Sequence, residues 1–215
     1  MSEPLVSPAD FSATDFRRRA LNQQGSQAED AWREHGDFLL NPDFVPLVEA
    51  LKLRDAAVLI PVIDDGDDAR VILTQRTSTL RKHSGQVAFP GGAIDPGDDT
   101  PERAALRETE EEIGLDRRFV ETVGRLPSYM AMSGFRITPI LAVVEPGFDL
   151  TLNPTEVDAA FEVPLSFLMN PRNHGRGRAT WQGSERQFYR MPYGERNIWG
   201  ITAGIIRMLY ERLYA

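Results

Sequence analysis

One stretch, FPGGAIDPGDDTPERAALRETEEEIGL from Phe89 to Leu115, constrains the fold more than any other. It runs from a strand end through a glycine-rich acidic loop into a single helix studded with acids. Pro90, Gly91 and Gly92 punctuate the strand end, and Asp95-Pro96-Gly97-Asp98-Asp99 reads as loop. Asp99 or Thr100 can cap a helix whose first turn holds Pro101 and Glu102, both favoured there. Ala104, Ala105 and Leu106 propagate it, and Gly114 stands where a C-terminal glycine stop is expected.

On that helix Glu108, Glu111 and Glu112 fall at i, i+3 and i+4, so all three project from one face. Each like-charge pair costs a few tenths of a kcal/mol, and the helix C-terminus disfavours anions. A bound cation offsets both penalties. Three hard oxygen ligands suit Mg²⁺ or Mn²⁺, which keep several waters and also hold substrate phosphates. Arg107 adjoins the cluster and is placed to orient one carboxylate through a bidentate contact.

Composition excludes several classes. The 215 residues, 41% hydrophobic and 26% charged, fit one soluble domain with an appendage. No apolar run of about 18 residues is present, so no membrane span is expected. The N-terminus MSEPLVSPADF lacks a basic-then-apolar signal, which points to a cytoplasmic protein. The absence of cysteine removes disulfides, thiolate metal sites and cysteine nucleophiles together. A net charge of −8 argues against a general nucleic-acid binder, so an anionic substrate requires a local basic patch or a bridging metal.

Residues 1–53 read as a helical extension, with helices expected over Phe11–Leu21 and Asp43–Leu51. Arg17, Arg18 and Arg19 read as a solvated face. From residue 54 the pattern turns to strands: Ala57–Ile63, Arg70–Gln75, Val87–Phe89, Val120–Leu126, Ile137–Val144 and Ala159–Val163. The acidic run Asp64–Asp68 reads as a hairpin turn, Ala179–Arg190 as a hairpin around Gly183, and Ile198–Tyr214 as a terminal helix. A mixed sheet with helices on both faces is the economical arrangement.

Arg76, Arg81 and Lys82 form a basic island just before the acidic loop, with His83 beside them. In an acidic chain such an island, next to a cation site, suits a polyphosphate. Arg176 and Arg178, among Gly175 and Gly177, are a second place where a phosphate could be reached. His35, His83 and His174 are dispersed, and Ser128, Ser133 and Ser166 lack a nucleophile's context.

The Arg-Glu-x-x-Glu-Glu-x-Gly order resembles the signature of the Nudix hydrolases, with Arg107, Glu108, Glu111, Glu112, Gly114 and Leu115 in register. Thr109 replaces a bulky apolar residue. Asp99 takes the place of the isolated glutamate, and Gly92 precedes it by one residue more than the pattern has. The resemblance implies an α/β/α sandwich with a mixed sheet over residues 54–215. It implies Glu108, Glu111 and Glu112 as metal ligands, with a general base that varies in the family. Glu108 and Glu111 on the helix, slightly favoured, and Glu156 in the loop-like NPTEVD segment are the candidates here.

The order L-T-x-R-x4-R-x3-G-x-V-x-F-P-G-G, through Arg76, Arg81, Gly85, Phe89, Pro90, Gly91 and Gly92, is similar to an extra motif of the coenzyme A pyrophosphatase branch. FEVPLSFLMNPRNH and NIWGITAGIIRMLYERL also resemble that branch. Arg76, Arg81, Lys82, Gly91 and Gly92 are then expected against substrate. The implied reaction cleaves coenzyme A, or its acyl form, to 4′-phosphopantetheine and adenosine 3′,5′-bisphosphate. Hydrolysis of ADP-ribose or another nucleoside diphosphate derivative is the alternative enzyme. A nucleotide-sensing module without catalysis is the alternative of another class, disfavoured by three retained, mutually repelling acids.

Overall fold

The computed structural model of the chain describes residues 10–23, 35–77, 85–181 and 183–215. Helix α1 (Ala13–Asn22) is followed by two short 3-10 turns and α2 (Val45–Glu49). Strands β1 (Arg54–Ile63), β2 (Arg70–Arg76), β3 (Val87–Ala88) and β4 (Gly91–Ala93) lead to helix α3 (Pro101–Ile113). Then come β5 (Val120–Arg125), β6 (Tyr129–Met130), β7 (Phe135–Val144), β8 (Val157–Pro164) and the short α4 (Leu165–Leu168). Strands β9 (Gly175–Trp181), β10 (Ser184–Tyr193) and β11 (Arg196–Trp199) precede the terminal helix α5 (Ile201–Leu213).

The first eight strands form one mixed sheet, and β9 to β11 form a smaller antiparallel one. At the centre β1 and β7 run parallel over ten residue pairs, from Arg54 opposite Phe135 to Ile63 opposite Val144. A parallel pair is stable when both its faces are covered, and period-two alternation supplies the two coverings. Ala57, Leu59, Ile140 and Ala142 bury against Ala104 and Ala105 of α3. Ala56, Ile60, Val62, Leu141 and Val143 join Phe16 and Ala20 of α1 and Ile205 and Leu209 of α5. The result is the expected α/β/α sandwich.

Helix α3 is fixed at both ends by local chemistry. Thr100 is its N-cap, accepting from the Arg103 N–H at 3.3 Å, and Gly114 ends it in the left-handed region at φ 68°. A Cβ at Gly114 would stand 2.9 Å from Thr151 Cβ, so a side chain there faces both strain and collision. Thr109, at a position where the family pattern has an apolar residue, is buried and donates its hydroxyl to the Ala105 carbonyl at 2.7 Å. That bond satisfies the polar group inside the core.

Several elements differ from the sequence expectation. Gly91–Ala93, read as strand-end and loop, is strand β4, paired antiparallel to β1 with Gly91 opposite Val58 and Gly92 opposite Ala57. The terminal helix starts at Ile201: Ile198 lies in β11, and Gly200 at φ 64° turns the chain between them. Arg17, Arg18 and Arg19 do not form a free solvated face. Arg17 pairs with Glu121 at 2.7 Å, Arg18 and Arg19 both hold Asp15, and Arg19 also donates to the Leu213 carbonyl at 2.8 Å. Asp68 in the acidic turn accepts from Ser166 through both its backbone N–H and its hydroxyl, at 3.1 and 2.6 Å.

Candidate active site

Strand β4 and helix α3 meet at two glycines. The Gly91 N–H donates to Glu112 Oε2 at 3.1 Å. Gly92 faces Glu108: a Cβ there would lie 2.4 Å from the Glu108 carboxyl carbon. The Glu108 carboxylate is therefore seated where only glycine leaves room, and Glu112 is held by a backbone N–H of the same strand.

Glu112 is almost fully buried, and its other oxygen meets Arg76 Nη1 at 3.3 Å. Burial pushes its pKa from an ordinary 4.5 up to about 7; Glu156 and Glu108 add repulsion, against the pull of the Gly91 N–H and Arg76. Glu108, mostly buried, is also raised, first by burial and then by repulsion from Glu111 and Glu156, with Arg107 opposing. Glu111 is 56% exposed and touches Arg107 Nη1 at 3.2 Å. Glu156 precedes β8, and its Oε1 accepts from Asn153 Nδ2 at 3.2 Å. The Glu156 carbonyl in turn accepts from the Thr77 N–H at 2.9 Å, holding this segment beside the end of β2.

Arg107 organises the exposed side. It donates Nε and Nη2 to the two oxygens of Asp98 at 3.1 and 2.8 Å, Nη2 to the Ala93 carbonyl at 3.2 Å, and Nη1 to Glu108 at 3.0 Å. These contacts hold the guanidinium firmly protonated, and the same fork holds the Asp98 carboxyl below the usual carboxylate range, with help from the Asp95 N–H. The bidentate partner is thus Asp98 and not one of the helix trio. Asp99, read from the sequence as the isolated acid, is exposed and pairs with Arg103 at 2.7 Å. Asp98 stands six positions after Gly92, a spacing that identifies it; the extra residue falls between Asp98 and the helix.

Across the sheet from the acids lies a cleft of 530 Å³. Val58, Phe89, Phe135, Ile137, Ile201 and Ile205 give it apolar walls; Arg76, Gly91 and Gly92 form the border with the acid cluster. Sequence reasoning missed this cleft because its walls come from five separate segments. Of the predicted site residues, Arg76, Gly91, Gly92, Arg107, Glu108, Glu111, Glu112 and Glu156 are brought together here. Arg81 and Lys82, with His83, lie outside the described residues.

The donor set has the chemistry of a divalent-cation site: hard carboxylate oxygens, two of them on groups whose ionised form burial and mutual repulsion penalise. The side chains do not close around a point as they stand. Among the described residues no three acids or histidines converge on one position, because Glu108 and Glu111 turn onto Arg107 and Glu112 onto Gly91 and Arg76.

A model of the NUDIX domain matches residues 52–181. A protein named uncharacterized Nudix hydrolase NudL, from Klebsiella pneumoniae (strain 342), is 39% identical over 171 residues, covering 80% of this chain and 88% of its own. Another of that name, from Photorhabdus laumondii, is 39% identical over 160 residues, covering 74% of this chain and 85% of its own. Among solved structures, a MutT/nudix family protein from Enterococcus faecalis gives a TM-score of 0.46 at 14% identity, over 87% of this chain and 74% of its own. The chain belongs to the Nudix family. It is a Nudix hydrolase, an enzyme class that uses divalent metal ions. No described helix is long and apolar enough to cross a membrane.

Proposed function

We propose that this Nudix hydrolase is a pyrophosphohydrolase of coenzyme A or its acyl derivatives, using Mg²⁺ or Mn²⁺ and releasing (acyl-)4′-phosphopantetheine and adenosine 3′,5′-bisphosphate. The observation that carries the reading is the border at Gly91 and Gly92, with carboxylates seated on one side and an apolar cleft on the other. A phosphoanhydride lying over β4 meets the acids, while a long, largely uncharged arm has a pocket of its own. The sequence similarity through Arg76, Arg81, Gly85 and the Phe89–Gly92 run supports the same substrate.

In this reading Glu108, Glu111 and Glu112 would hold the metal, whose chemistry when bound would be to offset phosphate charge and acidify a water. The chain's own residues do the rest. Arg107, anchored on Asp98, keeps Glu108 and Glu111 beside the site and would yield their oxygens to the cation. Arg76, at the edge of the cleft, moves from Glu112 to the substrate's phosphate oxygens. Glu156 accepts the water's proton: its repulsion of Glu108 and Glu112 supports this role, and no arginine pairs with it among the described residues. Arg81 and Lys82 read the 3′-phosphate, which carries about −1.5 to −2 charges by analogy with other phosphate monoesters.

The test is a substrate panel: coenzyme A, an acyl derivative, 3′-dephospho-coenzyme A and ADP-ribose, each with Mg²⁺ or Mn²⁺, with products resolved by phosphorus NMR. Coenzyme A or its acyl form should have the highest kcat/KM. Faster turnover of ADP-ribose would reject the assignment and leave the Nudix chemistry standing. Arg81→Ala and Lys82→Ala should each weaken coenzyme A roughly tenfold or more relative to the dephospho form. Equal losses on both would remove the 3′-phosphate role alone.

A further inference from the structure

The N-terminal extension is joined to the rest of the fold at one 3-10 turn, Asp37–Leu40. Just before it Gly36 bridges Met130 of β6, and the Met130 N–H donates to the His35 carbonyl at 3.0 Å. Phe38 of the turn buries with Val48 and Met130. Asn41 ties the turn to β10: its Nδ2 donates to the Asp37 and Gln187 carbonyls at 2.7 and 2.9 Å. Its Oδ1 accepts the Gln187 N–H at 2.8 Å. The backbone of Asp37 is therefore fixed before its side chain is considered.

That side chain uses both oxygens. Oδ1 accepts the Tyr129 hydroxyl at 2.7 Å, and Oδ2 accepts the Met132 N–H at 3.3 Å. The two partners lead to two different walls of the substrate cleft. Met132 precedes Ser133, which lines the cleft together with Phe135 and Ile137. The Gly134 N–H meets the Ala131 carbonyl and the Ala131 N–H meets the Phe135 carbonyl, both at 2.9 Å, so a hold on Met132 is a hold on Ser133. Tyr129 lies opposite Ile137 in the strand pair, and its ring and hydroxyl pack on α5 at Gly204, where any Cβ would collide with them. Gly204 stands between Thr202 and Ile205, which form the helical wall with Ile201.

Stability alone does not account for a carboxylate at this place. Burial raises the pKa of Asp37 above 3.8 against the pull of Tyr129, the Met132 N–H and Arg186, so its charge is held there at a cost that an apolar side chain avoids. What the carboxylate supplies is direction: two charge-assisted hydrogen bonds join the β6–β7 turn to the tyrosine packed on α5. We propose that Asp37 is a positioning residue for substrate recognition, holding the Ser133 wall of the cleft against the α5 wall through Tyr129 and the Met132 N–H. The inference rests on the reading that this cleft receives part of the substrate, and not on which substrate that is. Neither contact of Asp37 involves an acid of the site, so its loss is read in KM and not in kcat.

The experiment measures kcat and KM on whichever substrate of the panel the parent turns over best, and amide hydrogen exchange at Met132 by NMR without substrate. Asp37→Ala should speed that exchange and raise KM about tenfold or more, with kcat within a few-fold, the scale for losing a charge-assisted contact. Asp37→Asn keeps an acceptor for Met132 and offers its amide to the Tyr129 oxygen, so it should restore most of the KM. Tyr129→Phe should raise KM in the same direction, and the double variant with Asp37→Ala should add little, because one linkage is removed twice. Tyr129→Phe keeps the ring in the core and carries the test if Asp37→Ala does not fold. Val48→Ala opens a cavity in the same extension core and should lower the unfolding midpoint while keeping the parent's KM. Faster exchange with unchanged KM would show the linkage but remove substrate from the cleft, and the reading beneath the inference falls with it. Unchanged exchange and KM, a KM rise that Asp37→Asn does not reverse, or an equal rise in Val48→Ala overturns the inference itself.

Discussion

Gly91 donates its backbone N–H to the Glu112 carboxylate at 3.1 Å, joining a strand and a helix residue 21 positions apart. Gly91 has φ 146°, and a Cβ there would lie 2.4 Å from the Ala57 carbonyl oxygen. Gly91→Ala should therefore displace β4 from β1 and lower the unfolding midpoint together with activity. Gly92→Ala collides instead with the movable Glu108 side chain. It should fold near-normally yet lose about tenfold or more in kcat/KM, as misplaced catalytic groups do. Parent-like kinetics for Gly92→Ala would separate Glu108 from the chemistry.

Glu111→Gln and Glu112→Gln keep shape and remove charge. Each should cost about 10²-fold in kcat, the scale for deleting a major electrostatic stabiliser. Isothermal titration with Mn²⁺ should show weaker binding in both variants. Normal turnover by both at limiting metal would dissolve the metal assignment.

Glu156→Gln separates a proton acceptor from a surface acid. As the base, its loss should lower kcat about 10²-fold with metal saturating. A change within a few-fold would return the role to Glu108 or Glu111.

Adjacent aspartates should behave unalike. Asp98→Asn removes the carboxylate that Arg107 grips with two donors, and kcat should fall about tenfold as the guanidinium loosens around Glu108 and Glu111. Asp99→Asn alters only an exposed pair with Arg103 and should be kinetically silent. Equal effects would mean that the loop is not ordered by Arg107.

His174 offers a pH test away from the acids. Its Nε2–H donates to the Leu168 carbonyl at 2.6 Å, and burial lowers its pKa below 6.5. Below 6.5 the unfolded chain takes up the proton first, so this contribution to stability is fully present above pH 6.5 and is lost as pH falls through the folded value. His174→Gln keeps a donor but does not titrate, so its urea midpoint should fall less than the parent's between pH 7 and pH 5. Parallel midpoints would place the titrating group elsewhere.

What the sequence discloses is what is local. Glu108, Glu111 and Glu112 share a face by helical spacing, and Thr100 and Gly114 bound that helix by short-range capping, so all five are legible before any fold is known. Gly91–Ala93 is not, because glycine has poor strand propensity and only pairing with β1 makes it a strand. The choice between Asp98 and Asp99 needs Arg107 in three dimensions. Arg76 meets Glu112 across 36 positions, a contact no local pattern encodes. Arg17 and Arg19 read as solvated because Glu121 and the Leu213 carbonyl are far along the chain.

The two-sided seam at Gly91 and Gly92 also bears on how this enzyme can diversify. On the proposed assignment, bond cleavage falls to side chains from α3 and the Glu156 turn, recognition to walls from β1, β7 and α5, and Arg76, Gly91 and Gly92 stand between them. Substitutions at Phe135 or Ile205 can therefore retune which molecule is held without disturbing a single carboxylate. In such a partitioned scaffold, substrate range is free to drift while the reaction itself stays put.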